Sequence, residues 1–237
     1  VFISDVHLSS RDCKAEELLS FLDGVSCDNL YVVGDFFDIW LLSRRWHWPP
    51  IYNQVIRRIL GMVRAGTRVV FVPGNHDEIF RHYAGHDFGG VEIMLRTTHE
   101  TADGRKLLVT HGDEFDTIVK FNKWLAMLGS TAYDYLIYAN RPINALRSLW
   151  GLKHWSLASY LKHRIKSAGA YVKSFETALV AEAKHLGMAG VVCGHIHTPD
   201  VRDVGGILYC NCGDWIDACT ALVEDDYGNL AIFKHTS

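Results

Sequence analysis

The chain has 237 residues, 49% of them hydrophobic, with 24 basic and 27 acidic side chains and a formal charge of −3. That length carries one large domain with a substantial core, and the charge balance excludes a protein drawn as a whole to nucleic acid or an anionic surface. No stretch approaches the roughly 20 apolar residues that span a bilayer, and Cys13, Cys27, Cys193, Cys210, Cys212 and Cys219 do not form the disulfide framework of a small secreted domain. A cytoplasmic location is expected, with no signal peptide ahead of Val1. The chain opens in a strand and without methionine, so a few residues are expected to be missing from its start.

In chain order, Val1–Ser4 predicts a strand, Lys14–Leu22 a helix, and Leu30–Val33 a second strand. Ile51–Val63 predicts a helix with Ile51, Val55, Ile59 and Met62 on its apolar face. Val69–Val72, Leu107–Thr110 and Val191–Cys193 predict further strands. From about Phe115 to Phe175 the helical periodicity continues while acidic residues vanish between Tyr135 and Phe175, leaving Arg141, Arg147, Lys153 and Lys162 among Trp150, Trp155 and Tyr160. That segment predicts a helical cap, at about 115–175, inserted into a single domain over 1–237. Ile207–Cys210, Thr220–Val223 and Leu230–Phe233 predict an antiparallel finish. The fold class is α/β: a layered β-sheet core flanked by helices, with the cap inserted.

A polar motif follows each of the main strands: Asp5-Val6-His7, Gly34-Asp35-Phe36-Phe37-Asp38, Gly74-Asn75-His76-Asp77, His111-Gly112-Asp113 and Gly194-His195-Ile196-His197. Loops at the carboxyl edge of an α/β sheet gather distant residues into one site. Carboxylate, amide oxygen and imidazole together suit divalent ions such as Mn²⁺, Fe²⁺, Zn²⁺ or Co²⁺. On an extended strand Asp5 and His7 face the same side and grip one ion, and His195 and His197 repeat the spacing. Asp35 is the natural bridge between two ions. The glycines before Asp35, Asn75 and His195 let the chain turn sharply and a loop approach a phosphate. Outside these motifs His82, His86, His99, His154, His163, His185 and His235 are expected to be structural. Cys210 and Cys212 are expected to be buried, and Asp113 either braces the loop after His111 or stands behind a metal ligand.

The ordered motifs D-x-H, G-D-x-x-D, G-N-H-D, H-G-D and G-H-x-H resemble those of the calcineurin-like metallophosphoesterase superfamily over nearly the whole chain. The resemblance implies a metallophosphoesterase-type fold and two divalent cations, with Mn²⁺ favoured and Fe²⁺, Zn²⁺, Co²⁺ or Mg²⁺ as alternatives. It implies one cation held by Asp5, His7, Asp35 and His197 and another by Asp35, Asn75, His111 and His195. His76 is implied to be catalytic rather than a ligand, with Asp38 orienting its ring. The implied reaction is attack on phosphorus by a water that the cations acidify, while His76 protonates the departing oxygen or binds the phosphate.

The position of the insertion, the Gly34–Asp38 block, Trp155-Ser156-Leu157 and the tail Tyr209–Trp215 further resemble the bacterial branch that contains UDP-2,3-diacylglucosamine diphosphatase. That resemblance implies cleavage of the pyrophosphate of a UDP-linked acylated sugar to UMP and a lipid X-like product, in lipid A biosynthesis. It implies a small anionic, lipid-linked substrate, peripheral contact with the inner membrane and no nucleic acid partner. Two positions depart from the branch: His76 stands where its members commonly carry arginine, and Cys212 where similar tails often carry aspartate. The alternatives are a phosphodiesterase acting on a small phosphodiester or cyclic nucleotide, and a catalytically silent binding scaffold.

Overall fold

The computed structural model describes residues 1–115 and 172–235. The chain divides into two compact units, Val1–Asp113 with Glu176–Ser237, and Glu114–Phe175. The cap expected at about 115–175 lies, apart from its ends, outside the described residues.

The first unit contains β1 (Phe2–Ile3), α1 (Ala15–Gly24), β2 (Asn29–Val33), α2 (Ile39–Arg44), α3 (Pro50–Arg64) and β3 (Arg68–Val72). There follow β4 (Asp87–Phe88), β5 (Val91–Ile93), β6 (Thr97–Glu100), β7 (Lys106–Val109), β8 (Gly190–Cys193), β9 (Asp200–Asp203), β10 (Leu208–Asn211), β11 (Thr220–Glu224) and β12 (Leu230–Lys234). A helical stretch over 172–185 leads into β8. One sheet has the order β12-β11-β1-β2-β3-β5-β4 and the other β6-β7-β8-β10-β9. The centre of each is parallel, β1-β2-β3-β5 in the first and β7-β8-β10 in the second.

Alternation along β2 explains the layering. Leu30 and Val32 join Leu18, Leu22, Val55, Ile59 and Met62 in a core between the first sheet and helices α1 and α3. Tyr31 and Val33 point the other way, into a core shared with Leu107, Val109, Val192 and Cys210 of the second sheet. A strand covered on both faces reads as an unbroken apolar run, and each aliphatic side chain buried this way contributes roughly 1.5–3 kcal/mol.

The five main strands stand within a residue or two of their expected places. On α3 the buried stripe is Tyr52, Val55, Ile59 and Met62, whereas Ile51 is only half-buried. Tyr52 takes its place because its hydroxyl reaches Ser10 O at 2.7 Å, tying the helix start to the loop after β1. The tail departs further from expectation. Of the three tail strands, only β11 and β12 pair with each other, antiparallel and in the first sheet. β10 lies in the second sheet, parallel to β8 and antiparallel to β9. An apolar run does not state its partner, and Cys210 and Cys212 are fully buried between the sheets.

Candidate metal centre

The loops after β1, β2, β3, β7 and β8 meet at one edge. Backbone hydrogen bonds fix the first against the second: Asp5 N to Gly34 O at 3.1 Å, His7 N to Asp35 O at 2.8 Å and Asp38 N to Leu8 O at 2.9 Å. Ile39 N donates to His76 O at 3.1 Å, and Gly194 N to His111 O at 3.2 Å, which bind in the remaining loops.

β1 ends at Ile3, and Asp5 and His7 both have φ of 51°. His195 and His197 repeat this at 70° and 53°, and Asp35 has φ of 50°. The expectation of an extended strand carrying Asp5 and His7 is therefore corrected: left-handed turns aim these side chains. Such backbone costs an L-residue about 1–2 kcal/mol, and among the described residues the only other non-glycine positions with positive φ are Ser9 and Cys219. Strain of this kind gathers where the surroundings hold a functional geometry in place.

The side chains fall into small groups whose donor atoms lie within 4.8 Å of one another: Asp5, His7 and His197; Asp35, His111 and His195; His7, Asp38 and His76. Asp35 Oδ2 stands between the first two groups, 3.8 Å from His7 Nε2 and 3.4 Å from His111 Nε2. Asp5 Oδ1 lies 3.2 Å from His197 Nε2.

Three of the rings share one orientation. His7 Nδ1 faces Asp38 Oδ2 at 3.4 Å, His111 Nδ1 faces Val33 O at 3.0 Å, and His197 Nδ1 faces Asp214 Oδ2 at 3.6 Å. An outer acceptor on Nδ1 leaves Nε2 free as a donor to metal. Asp5 Oδ1, His7 Nε2, Asn75 Oδ1, His76 Nδ1, His111 Nε2 and, in the core, Trp215 Nε1 are buried without a hydrogen-bond partner among the described residues. A buried polar atom left unsatisfied costs about 1–3 kcal/mol, so Asp5 Oδ1, His7 Nε2 and His111 Nε2, on side chains that belong to these donor groups, fit a divalent cation.

The electrostatics agree. Burial opposes ionisation of Asp35, but His111, His76 and His7 outweigh it and hold the carboxyl far below the usual range. Burial also opposes charge on His111 and His197, yet Asp35 pushes the former, and Asp214 with Asp5 the latter, up to about 10. His195 moves the opposite way, through burial and the neighbouring His111 charge.

Gly34, with φ of 79°, makes the sharp turn expected of it, whereas Gly74 and Gly194 have a different task. A Cβ on Gly74 would stand 2.2 Å from Asp35 Oδ1, and one on Gly194 would stand 2.4 Å from Asp5 Oδ2. These glycines make room for the centre's own carboxylates.

Some residues that shape the site carry no role in the sequence reading. Asp77 is fully buried, accepting from Phe36 N at 2.8 Å and Phe37 N at 3.1 Å through Oδ2, and from Gly74 N at 2.7 Å through Oδ1. Burial and the Asp35 charge push its pKa up to about 6 against the pull of those amides. Asp214 caps the turn after it, accepting from the amides of Ile216, Asp217 and Ala218, while its other oxygen faces His197. Asn211 Nδ2 donates to Gly194 O at 2.7 Å. Asp77 ends the G-N-H-D motif and Asp214 sits in the Gly213-Asp214-Trp215 tail, so both lay in view. Asp113 braces its loop by an ion pair with Arg81 at 2.7 Å. His99 is structural, bonded to Tyr31 OH and Glu224.

The family model described as calcineurin-like phosphoesterase matches residues 1–199. Among curated relatives, UDP-2,3-diacylglucosamine hydrolase of Serratia proteamaculans is 24% identical over 219 residues, covering 86% of this chain and 84% of that protein. The protein of the same name from Klebsiella pneumoniae is 30% identical over 122 residues, and the match spans 49% of each chain. Among solved structures, the phosphoesterase Yfce of E. coli is 16% identical with a TM-score of 0.43, over 99% of this chain and 98% of that one. No helix among the described residues is long and apolar enough to cross a membrane. With a match of that length over the strands and loops that assemble the site, the chain belongs to the calcineurin-like phosphoesterase family, and its activity is that of a metal-dependent phosphoesterase.

Proposed function

We propose that the chain hydrolyses the pyrophosphate of a UDP-linked acylated sugar, releasing UMP and a lipid X-like product. The observation that carries this reading is the meeting of Asp5, His7 and His197, and of Asp35, His111 and His195, in two groups whose donor atoms lie within 4.8 Å of one another. The choice of substrate is supported by the relatives named for UDP-2,3-diacylglucosamine hydrolysis.

In this reading Asp5, His7, Asp35 and His197 hold one divalent cation, and Asp35, Asn75, His111 and His195 hold the other, with Mn²⁺ favoured. When bound, such a pair acidifies a water toward neutrality and screens charge on the phosphoryl oxygens. His76 is the proton donor. Burial disfavours its charged form, but Asp38 and Asp35 raise its pKa above the ordinary value, and Nδ1 lies 3.1 Å from Asp38 Oδ2. That leaves the Nε2 proton to serve the departing oxygen. Trp40, with its ring centroid 4.1 Å from that of His76, limits rotation of the imidazole.

The test is a panel of nucleotide-diphosphate sugars, acylated and not, incubated with the Mn²⁺-loaded protein. Release of UMP from the acylated UDP-sugar in preference to the rest is expected. Turnover confined to cyclic nucleotides or other small phosphodiesters would overturn the substrate and leave the metal centre standing.

A further inference from the structure

Between Asp38 and α3 the chain presents Arg44, Arg45 and Trp46 to solvent, with Trp48 packed against the edge of the core. Trp46 is 74% exposed. Its ring centroid lies 5.9 Å from that of Trp48. Trp48 is held on three sides: stacked on Phe37 at 6.2 Å with an interplanar angle of 17°, edge-on to Tyr52 at 5.4 Å, and donating Nε1–H to Asn53 Oδ1 at 3.0 Å. Arg44 and Arg45 are both exposed, and neither guanidinium has an ion pair or hydrogen bond among the described residues.

The position of this group follows from topology. β2 and β3 are parallel, so α3, which returns the chain between them, starts at the carboxyl edge where Asp35 and Asp38 sit. Phe37 is the neighbour of Asp38 and the ring on which Trp48 stacks. The aromatic pair is thus braced against the loop that carries the metal-binding carboxylate.

We propose that Arg44, Arg45, Trp46 and Trp48 recognise the nucleotide half of the substrate, with a planar base stacked on Trp46 and the guanidinium groups taking anionic phosphate oxygens. This rests on the proposed pyrophosphate reaction and names the residues that select the nucleotide half of its substrate. Unpaired guanidinium beside an open indole complements an anion that carries a π-face. Stacking on a single aromatic ring discriminates strongly between a nucleotide and a sugar phosphate of the same charge. A membrane contact is the less favoured use of the patch, since it would not call for Trp48 to be fixed in plane beside the metal loop.

Binding of UMP and of ribose 5-phosphate to the Mn²⁺-loaded full chain, measured by calorimetry, tests the assignment. The wild type is expected to prefer UMP by about ten-fold. Trp46→Ala should bring the two ligands level, Trp46→Tyr should keep most of the preference, and Arg44→Ala with Arg45→Ala should weaken both together. Trp46 is exposed, so the melting temperature of Trp46→Ala should match the wild type. Equal affinities in the wild type, or a preference that survives Trp46→Ala, would overturn the inference. Loss of binding to anionic phosphatidylglycerol vesicles in Trp46→Ala, with UMP affinity unchanged, would overturn it in favour of a membrane contact. A Trp46-dependent preference in a protein inert toward UDP-sugars would sink the proposed reaction alone. Turnover of UDP-sugars with an unchanged KM in Trp46→Ala would sink this assignment alone.

Discussion

Asp38 Oδ2 stands 3.1 Å from Nδ1 of His76 and also 3.4 Å from Nδ1 of His7, so one carboxylate oxygen faces the proposed acid and a proposed metal ligand. The other oxygen accepts from Leu41 N at 2.8 Å and caps α2. Asp38 therefore acts through its neighbours, and burial of its own charge is offset by His7 and His76, which hold its pKa low.

Replacing Asp38 by Asn keeps the cap and removes the charge. His76 loses the Asp38 share of what raises its pKa while that of Asp35 remains, so the descending limb of the pH–rate profile, where the acid deprotonates, should move to lower pH. Turnover at neutral pH should fall roughly 10–100-fold, the usual cost of losing an outer partner. An unshifted limb would show that His76 is not the titrating acid.

His76→Ala should lower kcat by about 10²–10⁴-fold while leaving Mn²⁺ affinity within about two-fold of wild type. Calorimetric metal titration beside the activity assay separates the two effects. A large loss of metal affinity would make His76 a ligand.

Metal loading should release protons. His111 and His197 have pKa values near 10 in the cation-free protein, so at pH 7.5 each is protonated and must give up its Nε2 proton to ligate. Titration in buffers of different ionisation enthalpy should yield about two protons per loaded centre, with Mn²⁺ affinity rising with pH. The sign for the cation-free fold is the reverse. Raised histidine pKa values stabilise it fully below about 6.5 and cease to do so as the pH climbs through about 10. Proton release near zero would remove these histidines from the ligand set.

Gly74→Ala should abolish tight metal binding, because the new Cβ would stand 2.7 Å from the Asp35 backbone nitrogen as well as 2.2 Å from its carboxylate, and backbone cannot rotate away. Gly61→Ala is the matched control. No atom lies within 4 Å of that site on α3, and helix propensity predicts a gain of about 0.5–1 kcal/mol. A Gly74→Ala protein that still binds Mn²⁺ normally would refute the crowding argument.

Asp77→Asn should destabilise the fold by about 1–3 kcal/mol, read by denaturant unfolding. Three backbone amides converge on its two oxygens, and an amide group can accept on only one side. A change below about 0.5 kcal/mol would mean that these loops are held by other contacts.

Much of the site was legible before any fold was known. Asp5, His7, Asp35, His111, His195 and His197 stand together because each follows a strand, and strand ends at one sheet edge are neighbours whatever their separation in the chain. Aiming was not legible. Period-two reasoning about Asp5 and His7 assumed extended backbone, whereas both lie in left-handed turns fixed by hydrogen bonds to the β2 loop. Asp38 was named in advance as the partner of His76, but the role of Asp214 was hidden for a related reason. Asp214 faces His197 across the site, and a carboxylate in a turn-rich tail gives no sign of what its second oxygen meets.

The sequence by itself determined the α/β alternation, the loops that carry the candidate donors and the side-chain types they offer, since hydrophobic period and side-chain type are local properties. Only the tertiary structure decided which sheet β10 joins, why Gly74 and Gly194 must lack a side chain, and which acceptors turn Nε2 of His7, His111 and His197 inward. Those outcomes depend on through-space partners brought together by packing two sheets, and no local pattern encodes a partner's identity.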